Sequence, residues 1–299
     1  MKISKKLKVA ALLAAIVIGA TAIGVAIWFL SNHNVAVLNP KGVIADQQRQ
    51  LIITATLLMA IVVVPVLLLT FAIAWRYREG NHKAKYSPDL DGNKFAEIAW
   101  WLIPLVIIAI LSGITIATSH SLDPSKPIAS DKSPLKVQVV ALQWKWLFIY
   151  PDQHVASLNY LPIPTDRPID FEITADAPMN SFWIPQLGGQ IYAMSGMSTR
   201  LHLTASQPGD YRGSSANISG EGFSGMVFTA HATPQADFDK WVADTQKSSQ
   251  KLTLDTYNEL AKPSKDAKPT AYSFPAAYDG LYDTVVMKYM TPQKSEGNY

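Results

Sequence analysis

Residues 54–75 read TATLLMAIVVVPVLLLTFAIAW, a run without a single charged side chain. A helix of about 20 such residues crosses a hydrocarbon layer of roughly 30 Å, and membrane helices tolerate a proline such as Pro65. Two further apolar runs lie at residues 9–30 and 98–118. The runs at 54–75 and 98–118 predict a transmembrane helical hairpin within residues 34–120, rather than buried helices of a soluble protein.

The charges around these runs predict their orientation. The loop at residues 76–95 carries five basic side chains, namely Arg76, Arg78, Lys83, Lys85 and Lys94. Cytoplasmic loops of membrane proteins carry an excess of basic residues, whereas acidic residues contribute little to topology. We therefore expect this loop and the N-terminal lysines in the cytoplasm, and everything after His120 on the outer side. In a bacterium this describes a multi-pass protein of the inner membrane with a periplasmic C-terminal domain.

Residues 1–33 have two possible fates. Lysines precede the apolar run at 9–30, as in the basic start of a signal peptide, but the run is longer than the usual apolar core of one. The segment is therefore either a signal that is cut near Ala22 or a third, N-terminal membrane helix. We favour the retained helix.

The composition excludes several kinds of chemistry. The chain of 299 residues has no cysteine, which excludes disulfides, thiolate catalysis, cysteine-ligated zinc and iron–sulfur clusters. The net charge is positive up to His120 and negative after it, whereas a nucleic-acid-binding protein carries basic residues on its globular part. We therefore expect no nucleic acid among the partners. The six histidines are scattered, so no metal site built from them is expected.

Residues 121–232 show the pattern of an all-β sandwich. Apolar and polar side chains alternate at 135–139, 169–174 and 201–203. Alternation with a period of two, bounded by proline and glycine, is typical of half-buried antiparallel strands. The fold class predicted for the chain is thus membrane-anchored and all-β.

The tail at residues 233–299 is predicted to be helical. Thr233 is the expected cap of its first helix and Pro234 the first helical residue, with Phe238 and Trp241 on one face. The rest of the tail is polar and contains lysines and prolines, and the sequence does not indicate what it contacts.

The loop before the last predicted strand resembles a metal-binding loop. Residues 211–226 read YRGSSANISGEGFSGM, which resembles the copper loop of cytochrome c oxidase subunit II, Cys-x-Glu-x-Cys-Gly-x-x-His-x-x-Met. The spacing is the same, and the resemblance implies a cupredoxin-like fold for residues 121–232. The positions that correspond to copper ligands are Asn180, Ser215, Asn217, Ser219, Phe223 and Met226. Only Met226 keeps the ligand type of the family.

These substitutions remove the chemistry of a dinuclear copper centre. Such a centre needs thiolates to bridge the metals and imidazoles to complete their coordination. Hydroxyl groups, amides and a phenyl ring cannot take over these roles. We therefore predict no metal and no cofactor in this chain.

Other stretches carry the same resemblance, over roughly residues 36–243. They are QWKW at 143–146, FAEIAWWLIP at 95–104, LNPKG at 38–42 and AKYSP at 84–88. With the loop length kept and the copper ligands lost, the chain resembles subunit II of the cytochrome bo-type ubiquinol oxidases, within the haem–copper oxidase family. Better-known members carry a lipoprotein cysteine where this chain has His33, so lipid attachment through a cysteine is excluded.

The resemblance implies a non-redox subunit of a proton-pumping oxidase. Subunit I would carry the haems, the copper and the quinol site, and would oxidise ubiquinol and reduce oxygen to water. This chain would brace and cover subunit I, with subunits III and IV and membrane lipid as further partners. Glu97 lies where subunit II of this family helps to admit protons to subunit I. The alternative for Glu97 is a capping or interface carboxylate.

Two other classes of function are compatible with the sequence. A copper-containing cytochrome c oxidase subunit would transfer electrons, but the lost ligands argue against it. A free-standing, membrane-anchored binding or assembly module is the second alternative. The choice between ubiquinol and menaquinol and the haem types cannot be read from the sequence.

Two motifs have simpler interpretations. Trp144 and Trp146 flank Lys145, so on a strand both would lie on one face, and we predict a packing role for them. Residues 220–225 match the dinucleotide pattern GxGxxG, but that pattern must open a helix after a strand. A strand is predicted to follow here, so we expect no nucleotide site.

Overall fold

The computed structural model describes residues 35–79, 81, 92–265 and 267–290, together with scattered positions between 17 and 32. The predicted fate of residues 1–33 and the motif at 84–88 fall largely or wholly outside these residues. Within them, the chain forms two long helices, a sandwich of two β-sheets and a tail that packs on one of the sheets.

Two helices form the predicted hairpin. Helix α1 spans Val43–Arg76 and helix α2 spans Lys94–Ser121, and both are long and apolar enough to cross a membrane. The most apolar part of each is not covered by the rest of the described chain. At 1.5 Å per residue, α1 is about 50 Å long, more than the roughly 30 Å of a hydrocarbon core. Its first turns therefore extend beyond the membrane towards the sandwich.

Eleven strands form the two sheets of the sandwich. Those in the first half are β1 Leu135–Leu142, β2 Lys145–Tyr150, β3 Val155–Leu158, β4 Tyr160–Pro164 and β5 Ile169–Ala175. The others are β6 Asn180–Trp183, β7 Ile191–Ala193, β8 Thr199–Leu203, β9 Gly209–Ser215, β10 Val227–Thr233 and β11 Thr270–Ser273. One sheet has the order β11-β3-β2-β1-β5-β8 and the other the order β4-β10-β9-β6-β7. The pairs β1–β5 and β4–β10 are parallel and the remaining pairs antiparallel.

Aromatic side chains fill the space between the two sheets. Phe182 lies at their centre, with its ring 5.2 Å from Phe228, 5.3 Å from Phe171 and 5.4 Å from Trp146 between centroids. All four side chains are almost completely buried. Each such aromatic pair adds about 0.5–1.5 kcal/mol beyond the burial of its area. The predicted sandwich is therefore confirmed, with an aromatic core.

The tail covers the outer face of the six-stranded sheet and builds a second core there. It contains helices α3 Gln235–Gln246, α4 Leu254–Ala261 and α5 Leu281–Met287, and strand β11, which pairs with β3. The tail side chains buried in this second core are Leu252, Tyr257, Tyr272, Phe274, Leu281, Tyr282, Val285 and Val286. Because of this cover, β2 is buried on both faces along its whole length. The tail is thus helical, as predicted, and also extends the sheet.

The start of the tail differs in detail from the prediction. Thr233 is the last residue of β10 and makes no side-chain cap, and Pro234 occupies the cap position of α3. The backbone carbonyl of Pro234 accepts bonds from the amides of Asp237 and Phe238. The predicted apolar face is confirmed, since Phe238 is buried and Trp241 packs against the sandwich core. The β-strand pairing of Thr233 with Pro164 takes precedence over its capping preference.

Lys145 ties the tail to the β1–β2 hairpin. Its ammonium group donates hydrogen bonds to the carbonyl of Lys262 (2.7 Å) and to the hydroxyl of Ser264 (2.6 Å). Burial lowers the pKa of Lys145. The carbonyl of Lys262 follows the last turn of α4, where a positive charge is favourable for the helix dipole.

The segment before α1 is bound to the sandwich. The amide of Lys41 donates to the carbonyl of Gln186 (2.7 Å), and the amide of Ser206 donates to the carbonyl of Lys41 (2.8 Å). At Gly42 a Cβ atom would lie 2.5 Å from the carbonyl oxygen of Thr204, so the backbones approach as closely as glycine allows. The sandwich is therefore fixed at the end of the hairpin where α1 begins.

The segment after α2 is bound to the same sandwich. The carbonyl of Pro124 accepts the amide of His202 (3.1 Å) and lies 3.1 Å from His202 Nδ1. The residues just before α1 and those just after α2 thus both contact the sandwich. The start of α1 and the end of α2 therefore lie at the same end of the hairpin, as the predicted topology requires.

Candidate functional site

The site to which the sequence points is the loop between β9 and β10, together with the start of β6. Ser215 is the last residue of β9, a turn of 3-10 helix spans Phe223–Gly225, and β10 begins at Val227. Strand β6 pairs with β9 and begins at Asn180. A strand follows the GxGxxG pattern, as predicted, so the pattern does not open a helix.

Three of the predicted positions form one hydrogen-bond network. The hydroxyl of Ser215 donates to the side-chain carbonyl of Asn180 (2.9 Å), and lies 3.1 Å from the carbonyl of Asn217. The side-chain amide of Asn180 donates to the carbonyl of Pro178 (2.7 Å), and that of Asn217 to the carbonyl of Met179 (2.9 Å). Ser215 and Asn180 are buried. Buried polar groups need partners, and here they satisfy one another.

Of the other three positions, Met226 is joined to this network through its backbone, since its carbonyl accepts the amide of Ser215 (3.1 Å). Met226 is buried below the loop, and its amide donates to the carbonyl of Phe223 (3.0 Å). Phe223 is half-buried in the short turn. The hydroxyl of Ser219 is buried without a hydrogen-bond partner within the described residues.

This donor set does not fit a dinuclear copper centre. It offers two hydroxyl groups, two amides, a phenyl ring and one thioether, where copper requires thiolates and imidazoles. The two buried positions Asn180 and Ser215 are moreover bonded to each other and not directed at an open space between them. Within the described ranges there is also no group of three or more His, Asp or Glu side chains arranged for a metal ion.

Trp144 covers the loop from the neighbouring β1–β2 hairpin. It lies in the turn before β2 with a φ of 67°, a region that bulky residues rarely adopt. The prediction that Trp144 lies on a strand beside Trp146 was therefore wrong, although both tryptophans pack against the same core, as predicted. The indole of Trp144 donates to the carbonyl of Ser219 (3.1 Å). A Cβ atom on Gly222 would lie 2.3 Å from that ring.

Glu97 lies far along the chain from this loop, in the first turn of α2. Its side chain is exposed, beside a shallow apolar groove formed by Ile98, Trp101, Leu102 and Leu105. The side chain of Asn93 caps the helix, accepting from the amides of Phe95 (3.1 Å) and Ala96 (3.2 Å). Asn93 therefore supplies the side-chain cap of α2, while Glu97 lies in the first turn, where a negative charge also favours the helix dipole. The β-sandwich follows the opposite end of α2, so the structure does not bring Glu97 together with the loop.

The histidines of the sandwich occupy ordinary structural positions. His202, on β8, lies 3.2 Å from a carboxylate oxygen of Asp170 on the neighbouring strand β5. His231, on β10, is paired with Asp210 on β9. Each of these two histidines therefore faces a carboxylate on the neighbouring strand.

Comparison with known proteins finds a family model that matches the tail and relatives that match most of the chain. The family model described as the COX Aromatic Rich Motif matches residues 246–293. This segment supplies the aromatic residues of the second core. Sequence reasoning missed its role, although Tyr257, Tyr272, Phe274 and Tyr282 stand out in an otherwise polar tail.

Three relatives match most of the chain. Cytochrome bo(3) ubiquinol oxidase subunit 2 of Pseudomonas aeruginosa is 48% identical over 260 residues, which are 87% of this chain and 78% of the relative. Ubiquinol oxidase subunit 2 of Acetobacter aceti is 47% identical over 273 residues, 90% of this chain and 88% of the relative. Quinol oxidase subunit 2 of Bacillus cereus is 40% identical over 248 residues, 83% and 85% of the two chains.

These identities extend over most of each relative and agree with the architecture described above. The chain is a membrane-bound protein whose C-terminal domain lies outside the membrane. It belongs to the subunit 2 family of the quinol oxidases, within the haem–copper oxidoreductases.

Proposed function

We propose that this chain is the non-redox subunit of a proton-pumping ubiquinol oxidase of the bacterial inner membrane, with its sandwich in the periplasm. Two of the relatives are named for ubiquinol and one for quinol without further specification. In this proposal the electrons pass from ubiquinol, which is soluble in the membrane, directly to the haems and copper of subunit I, where oxygen is reduced to water.

The observation that carries the proposal is the hydrogen bond between Ser215 and Asn180. In a copper-binding subunit these two positions would hold metal ligands. Here they are bonded to each other, in a chain without cysteine. Without a redox centre the chain cannot hold an electron, so it takes no part in a relay from cytochrome c.

The membrane hairpin supports a bracing role. The apolar side chains of α1 and α2 are exposed along both helices, so lipid or other subunits must cover them. We assign part of this surface to subunit I, and the remainder to membrane lipid and, in the complete complex, to subunits III and IV. The sandwich, fixed to the start of α1, would then cover the outer face of subunit I.

Glu97 has a separate role in this proposal. It is an exposed carboxylate at the end of α2 that is remote from the sandwich, which the positive-inside rule places in the cytoplasm. Acids next to a membrane core are costly and are often functional. With capping assigned to Asn93, we propose that Glu97 helps protons to reach subunit I.

The test is oxygen uptake by the complex purified through a tag on this chain. Ubiquinol, menaquinol and reduced cytochrome c are offered as separate electron donors, and haem is measured in the same sample. We expect haem to co-purify and ubiquinol to support the fastest turnover.

Each other result has a defined meaning. Faster turnover with menaquinol would overturn the assignment of the quinone only. Turnover with cytochrome c would mean that electrons pass through a route which the loop does not provide. A chain that purifies without haem, and whose deletion leaves oxygen uptake intact, would be a free-standing module.

A further inference from the structure

A groove opens between the start of α1 and the sandwich. Its volume of about 600 Å³ lies within the range of roughly 300–1,000 Å³ that is usual for ligand sites. Helix α1 contributes Ala45, Gln48 and Ile52 to one wall, and the loop between β6 and β7 contributes Gly188, Gly189 and Gln190 to the other. The lining is mostly apolar, so the groove suits a hydrocarbon chain better than a sugar or a nucleotide.

Two glycines set the width of the groove. A Cβ atom on Gly189 would lie 3.1 Å from the side-chain nitrogen of Gln48, and one on Gly188 would lie 2.5 Å from a methyl group of Leu203. The helix and the loop therefore approach each other closely here, and larger side chains would push them apart. The groove is thus a fixed feature of the junction between α1 and the sandwich.

The groove lies at the level of the membrane surface. Arg49 and Arg76 are the cations that flank the apolar run of α1, and no charged side chain lies between them. At 1.5 Å per residue they are about 40 Å apart along the helix, and a bilayer with its headgroup regions is about 40–45 Å thick. Arg49 therefore lies at the level of the phosphate groups on the side of the sandwich, and Ile52 lies where the hydrocarbon begins.

The charge of Arg49 is available to a phosphate group. Arg49 lies one turn from Ala45 and one turn from Ile52, so it is on the face of α1 that forms the groove. Its guanidinium group is partly exposed and lies 3.9 Å from a carboxylate oxygen of Asp46, whose other oxygen accepts from the side chain of Gln50 (2.8 Å). A loose, exposed ion pair of this kind contributes little, whereas a guanidinium binds phosphate with two parallel hydrogen bonds.

The side-chain amides of Gln48 and Gln190 add polar groups to the walls. Neither amide has a hydrogen-bond partner among the described residues, and each can donate to a carbonyl oxygen. A phospholipid offers a phosphate, ester carbonyls and an acyl chain in one molecule. An apolar side chain of another subunit would fill the groove but would leave the guanidinium and both amides without partners.

We propose that this groove binds one phospholipid from the leaflet on the side of the sandwich, with an acyl chain in the groove and the phosphate group on Arg49. The lipid extends the contact between α1 and the sandwich that begins at Gly42. The proposal rests on the membrane hairpin and on the position of the sandwich outside the membrane. It depends neither on the electron donor nor on proton transfer.

The first test is photo-crosslinking in the whole complex, purified through a tag on this chain. The photoreactive amino acid p-benzoylphenylalanine replaces Gln190 in the wall of the groove. In the matched control it replaces Gln47, an exposed residue of α1 outside the groove. The complex is washed with detergent to remove loosely held lipid, irradiated and analysed by mass spectrometry. We expect an adduct with the mass of a phospholipid at position 190 and none at position 47.

The second test uses substitutions in the same complex, with phosphatidylglycerol as the added lipid and its binding followed by native mass spectrometry. Arg49→Gln removes the charge from the groove, and its control is Arg212→Gln on β9. Ile52→Trp places a large ring in the groove, and its control is Ile53→Trp, one residue further and outside it. We expect binding about fivefold weaker in Arg49→Gln, the effect of one basic residue at an anionic surface. Ile52→Trp should lose binding, and both controls should keep it.

A peptide adduct at position 190 overturns the proposal. If the peptide belongs to another subunit, the groove is an interface between subunits. If it belongs to residues 1–33 of this chain, the groove holds the N-terminal segment. Unchanged binding of phosphatidylglycerol in both Arg49→Gln and Ile52→Trp overturns it as well.

The haem content shows whether each variant has assembled. If Ile52→Trp does not assemble, Arg49→Gln and its control decide the matter. The proposed function is tested separately by oxygen uptake with ubiquinol, so either proposal can fail without the other.

Discussion

The hydroxyl of Ser215 and the side-chain carbonyl of Asn180 are 2.9 Å apart and hydrogen-bonded, which ties the end of β9 to the start of β6. The same hydroxyl lies within hydrogen-bond distance of the carbonyl and the amide of Asn217 (3.1 and 3.4 Å) and of the amide of Ser181 (3.4 Å). One buried hydroxyl group therefore organises the loop.

Ser215→Ala should destabilise the sandwich by about 1–3 kcal/mol, because Asn180 would be left buried without its partner. The measurement is guanidinium unfolding of the full chain in detergent, followed by tryptophan fluorescence. Ser214→Ala, one residue earlier on the same strand, is the control and should change stability by less than about 0.5 kcal/mol. Equal stability of the two variants would show that the network does not hold the loop.

Gly222→Ala should displace Trp144 and cost about 1–3 kcal/mol, as overpacked sites usually do. Its Cβ atom would lie 2.3–2.6 Å from three atoms of the indole ring. The control is Gly225→Ala in the same loop, where the nearest atom would be 3.8 Å away. A change in the tryptophan emission spectrum is expected for the first variant alone. Identical spectra would refute the contact.

Gly42→Ala should loosen the attachment of α1 to the sandwich. The added Cβ atom would meet the carbonyl oxygens of Thr204 (2.5 Å) and Leu187 (2.8 Å), which are backbone atoms and cannot rotate away. We expect faster hydrogen–deuterium exchange at the amides of Lys41 and Ser206, with a local cost of about 1–3 kcal/mol.

The matched control for this variant is Gly280→Ala. Gly280 is also a helix-capping glycine, but no atom lies within 4 Å of its Cβ position. Alanine is a poorer helix cap than glycine, by up to about 1 kcal/mol, and this cost is shared by both variants, so the difference between them reports the close approach at Gly42. If both variants leave exchange at Lys41 unchanged, the close approach at Gly42 does not anchor the helix.

Asp176→Asn should weaken the docking of the tail. Burial alone would raise the pKa of Asp176, but the bonds from Lys288, Tyr289 and Tyr257 outweigh it and hold the pKa below its ordinary value. A carboxylate with a depressed pKa stabilises the fold fully above its ordinary pKa, near 3.9, and loses this contribution as the pH falls through the lower value. At neutral pH we expect a loss of about 1–3 kcal/mol in the variant.

The pH dependence provides the decisive comparison for Asp176. The difference in unfolding free energy between the unaltered chain and Asp176→Asn should be largest near neutral pH and should shrink below about pH 4. Asp283→Asn, on the exposed side of α5, should show no such dependence. A difference that stays constant down to pH 2 would exclude the buried carboxylate as its source.

Glu97→Gln should slow oxygen uptake with ubiquinol by on the order of tenfold, which corresponds to about 1.4 kcal/mol at the barrier. The amide keeps the shape of the side chain but cannot carry a proton. Glu79→Gln, an exposed acid just after α1, is the control and should leave turnover unchanged. Equal haem content confirms assembly in both variants. Unchanged turnover in Glu97→Gln would leave Glu97 as an interface residue.

Features of the fold that follow from the local order of apolar and polar residues could be predicted from the sequence. The apolar runs at 54–75 and 98–118 lie within α1 and α2 because lipid demands an uninterrupted apolar segment. The alternation at 135–139 and 169–174 lies within β1 and β5 because one face of each strand is buried. The loop after Ser215 could be located because its spacing survives without its ligands.

Features that depend on distant contacts could not be predicted in this way. Trp144 adopts a left-handed backbone because its ring packs over Gly222, which lies far along the chain. Thr233 stays in β10 because of its pairing with Pro164. The tail looked merely polar, since its few aromatic residues are too widely spaced to form a periodic pattern. Their partners on β1 and β2 become evident only in the folded chain.

The hydrogen-bonded loop also affects how the subunit matures. A domain closed by a metal reaches its final form only after the metal has been delivered and its thiols have been kept reduced. Here the network around Ser215 consists of groups that the chain itself supplies. The loop between β9 and β10 is therefore closed by hydrogen bonds that need no metal ion and no cysteine thiol to form.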